Sequence, residues 1–229
     1  MSVIQIFLMK NTIHIVMDTP GANALQVLQD ATSGDNPPSV FLLHENCADN
    51  EPSWKLTDGG NGLELEKTIR AELSEIFIIL SHNLSLPQQI EAVLQFLNKR
   101  NDLTMGRFLL FLHSPILLDP PENFPEWLDG VTHFTDVMLF IDRSNDSAGR
   151  IKEFQERYRN MHYPMESYIL GKKNDSWSKI LDPTPRRISH IFDDPELLEP
   201  EDLPENDRYL VKLPSGERKR VIPLIFRSS

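Results

Sequence analysis

Short runs of β-branched and aromatic residues alternate along the chain with stretches in which apolar residues return every three or four positions. The runs at residues 40–43, 76–80, 108–112 and 137–141 are apolar throughout instead of alternating with polar residues, and those at 13–17 and 167–170 depart from this only at His14 and Ser167. Such continuity fits strands buried on both faces, as in a parallel sheet covered by helices. An extra strand over residues 4–9 is expected ahead of the first crossover, separated from it by Lys10, Asn11 and Thr12. Between the strands, Leu65, Ile69 and Leu73 share one helical face, with Glu66 and Arg70 spaced for an ion pair. Ser85 and Pro87 open a second helix with Ile90, Val93, Leu94 and Leu97 inward. Ser147 is placed to cap a third, striped by Ile151, Phe154, Tyr158 and Met161. The expected fold is α/β, doubly wound, a mostly parallel sheet with helices on both faces.

The texture changes near residue 182. Five prolines and a run of acids through residues 193–202 suggest an extended linker, and residues 208–213 and 218–226 read as two strands around a Ser215–Gly216 turn. The expected division is a domain over 1–182, an acidic Pro-rich linker over 183–207 and a basic C-terminal hairpin or arm over 208–229. The arm's cluster of Lys212, Arg218, Lys219, Arg220 and Arg227 either folds back on its own domain or docks on a protein partner or a second copy.

Composition narrows the function. A net charge of -11 argues against nucleic acid as a partner, because the averaged field repels a polyanion. No apolar run reaches the roughly 18 residues that span a bilayer, so no membrane is expected. The lone cysteine, Cys47, rules out an intramolecular disulfide and, with a short apolar N-terminus lacking a basic flank, fits a cytoplasmic location.

Residues 12–25 have the outline of a phosphate-binding loop: a β-branched strand, a Pro-Gly turn and a helix start. Set on the pattern GxxxxGK[ST], the positions read Asp18, Thr19, Pro20, Gly21, Ala22, Asn23, Ala24 and Leu25. A working loop places a lysine on the β and γ charges and a hydroxyl on magnesium; Ala24 and Leu25 supply neither, and Asp18 repels phosphate.

With its strands in this order, the chain resembles the cobW-like family of P-loop GTPases over residues 12 to about 172. Residues 40–46, ending His44-Glu45-Asn46, look like the family's second strand with its Asn-Glu pair reversed. Residues 56–61 stand where the family carries Asn-Gly-Cys-x-Cys-Cys. Residues 78–87 are similar to its strand, acid, Ser-Gly and Pro-started helix. Residues 133–141 look like the strand before the guanine-reading Asn-Lys-x-Asp, and residues 160–164 like its Asn-Pro helix end. The resemblance implies a P-loop NTPase fold. The family's chemistry is not carried over: the metal-binding cysteines are replaced within residues 59–64, the acid of the third strand falls on Leu80 or Ser81, and Asp142-Arg143-Ser144-Asn145 replaces the base-reading motif. The expectation is a pseudo-GTPase, not an enzyme, with no cofactor and with protein binding or assembly as its role. GTP or a divalent metal are the alternatives.

In doubly wound sheets ligands bind beyond the carboxyl ends of the strands. Three histidines fall there, and His44, His82 and His113 with Asp18 or Glu45 make a candidate metal set. Ser81-His82 lacks the elbow of a serine nucleophile and reads as a hydrogen-bonded loop end.

Overall fold

The computed structural model describes residues 11–35, 37–47, 52–57, 60, 62–65, 75–171 and 177–227. The strand expected over residues 4–9, and Ile69 and Leu73 of the first expected helix, lie outside these; Leu65 closes a short strand. The strands are β1 (Asn11–Asp18), β2 (Val40–His44), β3 (Ser53–Leu56), β4 (Leu63–Leu65), β5 (Glu75–Ile79), β6 (Leu103–His113), β7 (Val137–Ile141) and β8 (Glu166–Ile169). The helices are α1 (Ala24–Ala31), α2 (Leu86–Asn98), α3 (Phe124–Thr132), α4 (Asn145–Asn160) and α5 (Trp177–Ile180). All eight strands form one sheet in the order β4-β3-β2-β5-β1-β6-β7-β8, parallel throughout except where β3 meets β4. No helix among the described residues is long and apolar enough to cross a membrane.

The apolar runs are buried on both faces for the reason their continuity suggests. Successive side chains of a strand point to opposite faces. Ile13, Ile15 and Met17 of β1, Phe108, Leu110 and Leu112 of β6, and Met138 and Phe140 of β7 enter one core with α2, α3 and α4. Val16, Leu109, Phe111, Val137, Leu139 and Ile141 enter a second core with α1 and α5.

Two helix ends differ from the sequence reading. Ser147 is not the cap of α4. Ser144 is, accepting from the Ser147 N–H while the Ser147 hydroxyl accepts from the Ser144 N–H, so the expected cap is the third residue of a reciprocal capping box. Met161, expected on the inner stripe, is 43% exposed because it follows the last turn of α4.

The segment expected as linker and arm lies on the domain. Its prolines start three short 3-10 turns, at Pro195–Leu197, Pro200–Asp202 and Pro204–Asn206. The two expected strands reduce to one antiparallel bridge, Lys212 to Arg218, with Gly216 at φ +87° in the turn. The rest of that segment spends its side chains on packing: Ile191, Tyr209, Leu210 and Ile222 enter the α2–α4 core. Ile222 fits because residue 130 is glycine; a Cβ there would stand 2.6 Å from Ile222 Cγ1.

Polar contacts fix this wrap. Asp136, fully buried just before β7, accepts from the N–H of Phe108 at 2.7 Å and of Arg186 at 2.5 Å, and from Arg187 Nη1 at 3.2 Å. Arg187 Nη2 donates to Asp193 Oδ1 at 2.6 Å. Asp207 accepts from His133 Nε2 at 2.8 Å, the Ser189 hydroxyl at 2.6 Å and the Tyr209 N–H at 2.9 Å. Burial opposes the charge of Asp207, but the His133 bond and charge and the other two donors outweigh it and hold its pKa below the usual aspartate value. Glu91 of α2 receives Arg218 at 2.6 Å and Lys212 at 3.5 Å, so two cations of the basic cluster are paired within the chain.

Replacing Asp136 with alanine leaves the Arg187 guanidinium buried with one partner fewer. The expected loss is about 3–5 kcal/mol, read as a lower urea midpoint at unchanged slope. A second expectation concerns acid. Since folded Asp207 ionises below the unfolded value of about 3.9, its contribution is complete above about pH 5 and is lost as pH falls through the folded value. Asp207→Asn is therefore expected to lower stability at pH 7 and to flatten the loss between pH 5 and pH 3, measured by urea unfolding across pH.

Candidate functional site

The carboxyl ends of β2, β5, β1 and β6 carry every sequence-selected residue. At the end of β1, the Thr19 N–H donates to the Phe111 carbonyl at 2.9 Å, and the Thr19 hydroxyl accepts from the His113 N–H at 2.8 Å. The Ala22 N–H closes on the Thr19 carbonyl at 3.0 Å, and Gly21 has φ +89°. With Pro20 preceding that glycine, this is a type II turn, whose third position needs φ > 0. Gly21 also makes room for a neighbour: a Cβ there would lie 2.6 Å from His113 Nδ1.

Asn23 stands at the head of α1 in the left-handed region, φ 50°, and its side chain makes no capping bond. Asp18 reaches that end instead, its Oδ2 accepting from the Ala24 N–H at 3.4 Å. The positive end of the α1 dipole, where a phosphate-binding loop holds its anion, thus faces a carboxylate of the same chain. Ala22 and Ala24 are fully buried and Leu25 packs at the edge of the same apolar layer. Small and apolar side chains at these positions serve the contact between α1 and the sheet.

The three strand-end histidines have separate partners. His82 Nε2 lies 2.7 Å from the Asp18 carbonyl oxygen and 3.2 Å from Asp18 Oδ1. Desolvation disfavours its charge, but the hydrogen bonds and the charge of Asp18 prevail and raise its pKa above the ordinary imidazole value. His113 Nε2 faces Asp142 Oδ2 at 3.6 Å. His44 is buried with its ring edge-on to Trp54 at 4.9 Å, and burial, opposed by Glu45, lowers its pKa. Glu45 is exposed in the following 3-10 turn.

Of the candidate metal set, the structure brings Asp18 and His82 together and leaves His44 and His113 with other partners. Among the described residues no group of three or more His, Cys, Asp or Glu side chains is arranged to hold a metal ion. Sheet order is the reason. His44 on β2 and His113 on β6 are separated by β5 and β1, three strand spacings of about 4.8 Å or roughly 14 Å in all. Metal–nitrogen bonds are about 2 Å long and cannot bridge that gap.

Ser81 also parts from His82. Gln89 of α2, fully buried, accepts from the Ser81 N–H at 2.8 Å and donates to the Ser81 and Leu84 carbonyls at 2.9 and 3.0 Å, fixing the loop as a structural turn.

Sequence reasoning missed the tail's share in this end of the sheet. Phe226 packs on His82 at 5.7 Å and edge-on to Trp127 at 4.9 Å between ring centres. What remains between Met17, His82, Trp127, Ile222 and Phe226 is about 10 Å3, close to the volume of a single water site. No local pattern announces a contact between residues 144 positions apart, although the apolar string 221–226 signals that this segment is buried somewhere.

The folded pKa of His82 lies above the unfolded value of about 6.5, so its contribution to stability is complete below about pH 6 and is lost as pH rises through the folded value. An NMR titration of the imidazole is expected to give a midpoint above 6.5 that falls in Asp18→Asn. A midpoint unchanged by that substitution would mean that Asp18 does not set it.

In fold the chain is similar to a zinc-bound crystal structure of the YjiA GTPase from E. coli, with a TM-score of 0.50 at 10% identity. The likeness covers 77% of this chain and 62% of that one. A zinc-bound triple mutant of the same GTPase gives a TM-score of 0.49 at 11% identity, over 76% and 62% of the two chains. The chain thus spans less than two thirds of the length of the GTPase it matches. No family model matches the sequence, and no curated protein matches it either. The mostly parallel sheet of eight described strands, with helices on both faces, is an α/β fold similar to that of this GTPase.

Proposed function

We propose that this chain is a P-loop GTPase-like protein without nucleotide hydrolysis that acts as a protein-binding or assembly module. The observation that carries the reading is Asp18. Its carboxylate stands at the α1 N-terminus, tied to Ala24 and His82, so a phosphate entering there meets a fixed negative charge. The loss of the lysine and hydroxyl positions to Ala24 and Leu25 points the same way, because neither neutralises phosphate nor holds magnesium. The metal alternative has no supporting geometry among the described residues, since its three histidines are committed to separate partners.

For recognition, the basic arm is a poorer surface than its composition suggests. Lys212 and Arg218 pair with Glu91, while Arg208 and Arg220 lie over the Tyr209 ring at 5.2 and 5.5 Å. The tail exposes the large apolar side chains of Leu197, by 83%, and Val221, by 73%.

A thermal-shift panel tests the non-catalytic reading. A ligand at a hundred times its Kd adds about 2.7 kcal/mol, which for a chain of this size raises Tm by roughly 5–10 °C. GTP or ATP with magnesium is expected to leave Tm unchanged. A rise of several degrees that disappears on omitting nucleotide would overturn the proposal.

A further inference from the structure

The middle of β6, the start of β8 and the segment that follows α5 line a second cluster of charge, away from the Pro20–Gly21 turn. Arg107 of β6 is only 2% exposed. Its Nε donates to the Asp182 carbonyl, its Nη2 faces Glu166 Oε2 at 3.6 Å and Asp182 Oδ1 at 3.8 Å, and its Nη1 is buried without a hydrogen-bond partner. These separations exceed the roughly 2.7–2.9 Å of a charge-assisted hydrogen bond. The Asp182 carboxylate is otherwise engaged, accepting from the Thr184 N–H at 2.8 Å.

Arg107 lines a cavity of about 160 Å3 together with Lys179 and Arg186. That space holds several waters, enough for an oxyanion and a small attached body. Arg186 approaches Glu166 Oε1 only to 3.9 Å, and Lys179 makes no ion pair among the described residues. Among the described residues that line it, three cations therefore face two carboxylates. The excess positive charge is local, in a chain whose net charge is -11.

We propose that this cavity binds a small oxyanion, the carboxylate or phosphate group of a low-molecular-weight ligand. Lys179 and Arg186 supply charge at the exposed side, and Arg107 supplies a positive, nearly dehydrated wall where Coulomb attraction is weakly screened. Glu166 and Asp182 hold the cations in place and limit the surplus to one charge, which favours a singly charged group. The site shares no residue with the loop at Asp18 and does not depend on whether nucleotide binds there.

The test is calorimetric titration of the full chain with sodium phosphate and, separately, sodium acetate, each against chloride at constant ionic strength. Saturable binding of at least one is expected, and which one binds identifies the headgroup. Because Lys179 and Arg186 are exposed, replacing them spares the fold, and Lys179→Ala is expected to weaken binding about tenfold, with Arg186→Ala also weaker. Lys152→Ala, on the distant outer face of α4, should bind as the parent does. Absence of saturable heat with both anions, or equal affinity in Lys179→Ala and Lys152→Ala, would overturn the proposal.

Discussion

The central strands are apolar on both faces, and each face must be shielded from water. This constraint organises the molecule. One face is met by α1 and α5, the other by α2, α3 and α4 together with side chains from the last forty residues. Fully burying a single large aliphatic or aromatic side chain is worth about 1.5–3 kcal/mol. Uncovering Ile191, Tyr209, Leu210 and Ile222 would thus remove a large fraction of the roughly 5–15 kcal/mol that holds a domain folded. The tail belongs to the core. Asp136, just before β7, keeps it in register by tying the middle of β6 and two consecutive tail residues to one buried carboxylate.

The same constraint explains what holds the loop after β1 in its shape. The strand, the type II turn at Pro20–Gly21 and the start of α1 are fixed by Thr19 bonding to β6 and by Ala22 and Ala24 packing beneath the helix. None of these contacts needs a phosphate. What the helix dipole still calls for is negative charge at its N-terminus, and Asp18 provides it from within the chain. The His82 pairing then stabilises that carboxylate, while Phe226 from the tail covers the imidazole.

Much of the architecture was legible in the sequence because burial on two faces leaves a local signature. Runs such as 137–141 and 108–112 are apolar at every position, and a strand exposed on one face would alternate. Their parallel pairing, the helical period between them and the strand-turn-helix outline at Asp18 all follow from residues close in sequence. Longer-range features were less legible. The capping box of α4 was misread by three residues, because Ser144 and Ser147 are both competent caps and only the path of the chain chooses between them. The strands β3 and β4 and the helix α3 carry weaker patterns and went unread.

The sequence by itself determined the α/β class, the loop outline and the presence of Ala24 and Leu25 where the motif has a lysine and a hydroxyl, since each is a property of residue type at short spacing. Tertiary structure alone decided the rest. Strand order set His44 and His113 too far apart to share a metal, a separation that no count of histidines reveals. It also turned an acidic, Pro-rich stretch that reads as a linker into a wrap around the domain. Composition reports how much apolar surface a segment can bury, whereas the pairing of Arg187 with Asp136 and of Asp207 with His133 depends on partners tens of residues away. Charge pairing and sheet order are long-range, and only the folded chain specifies them.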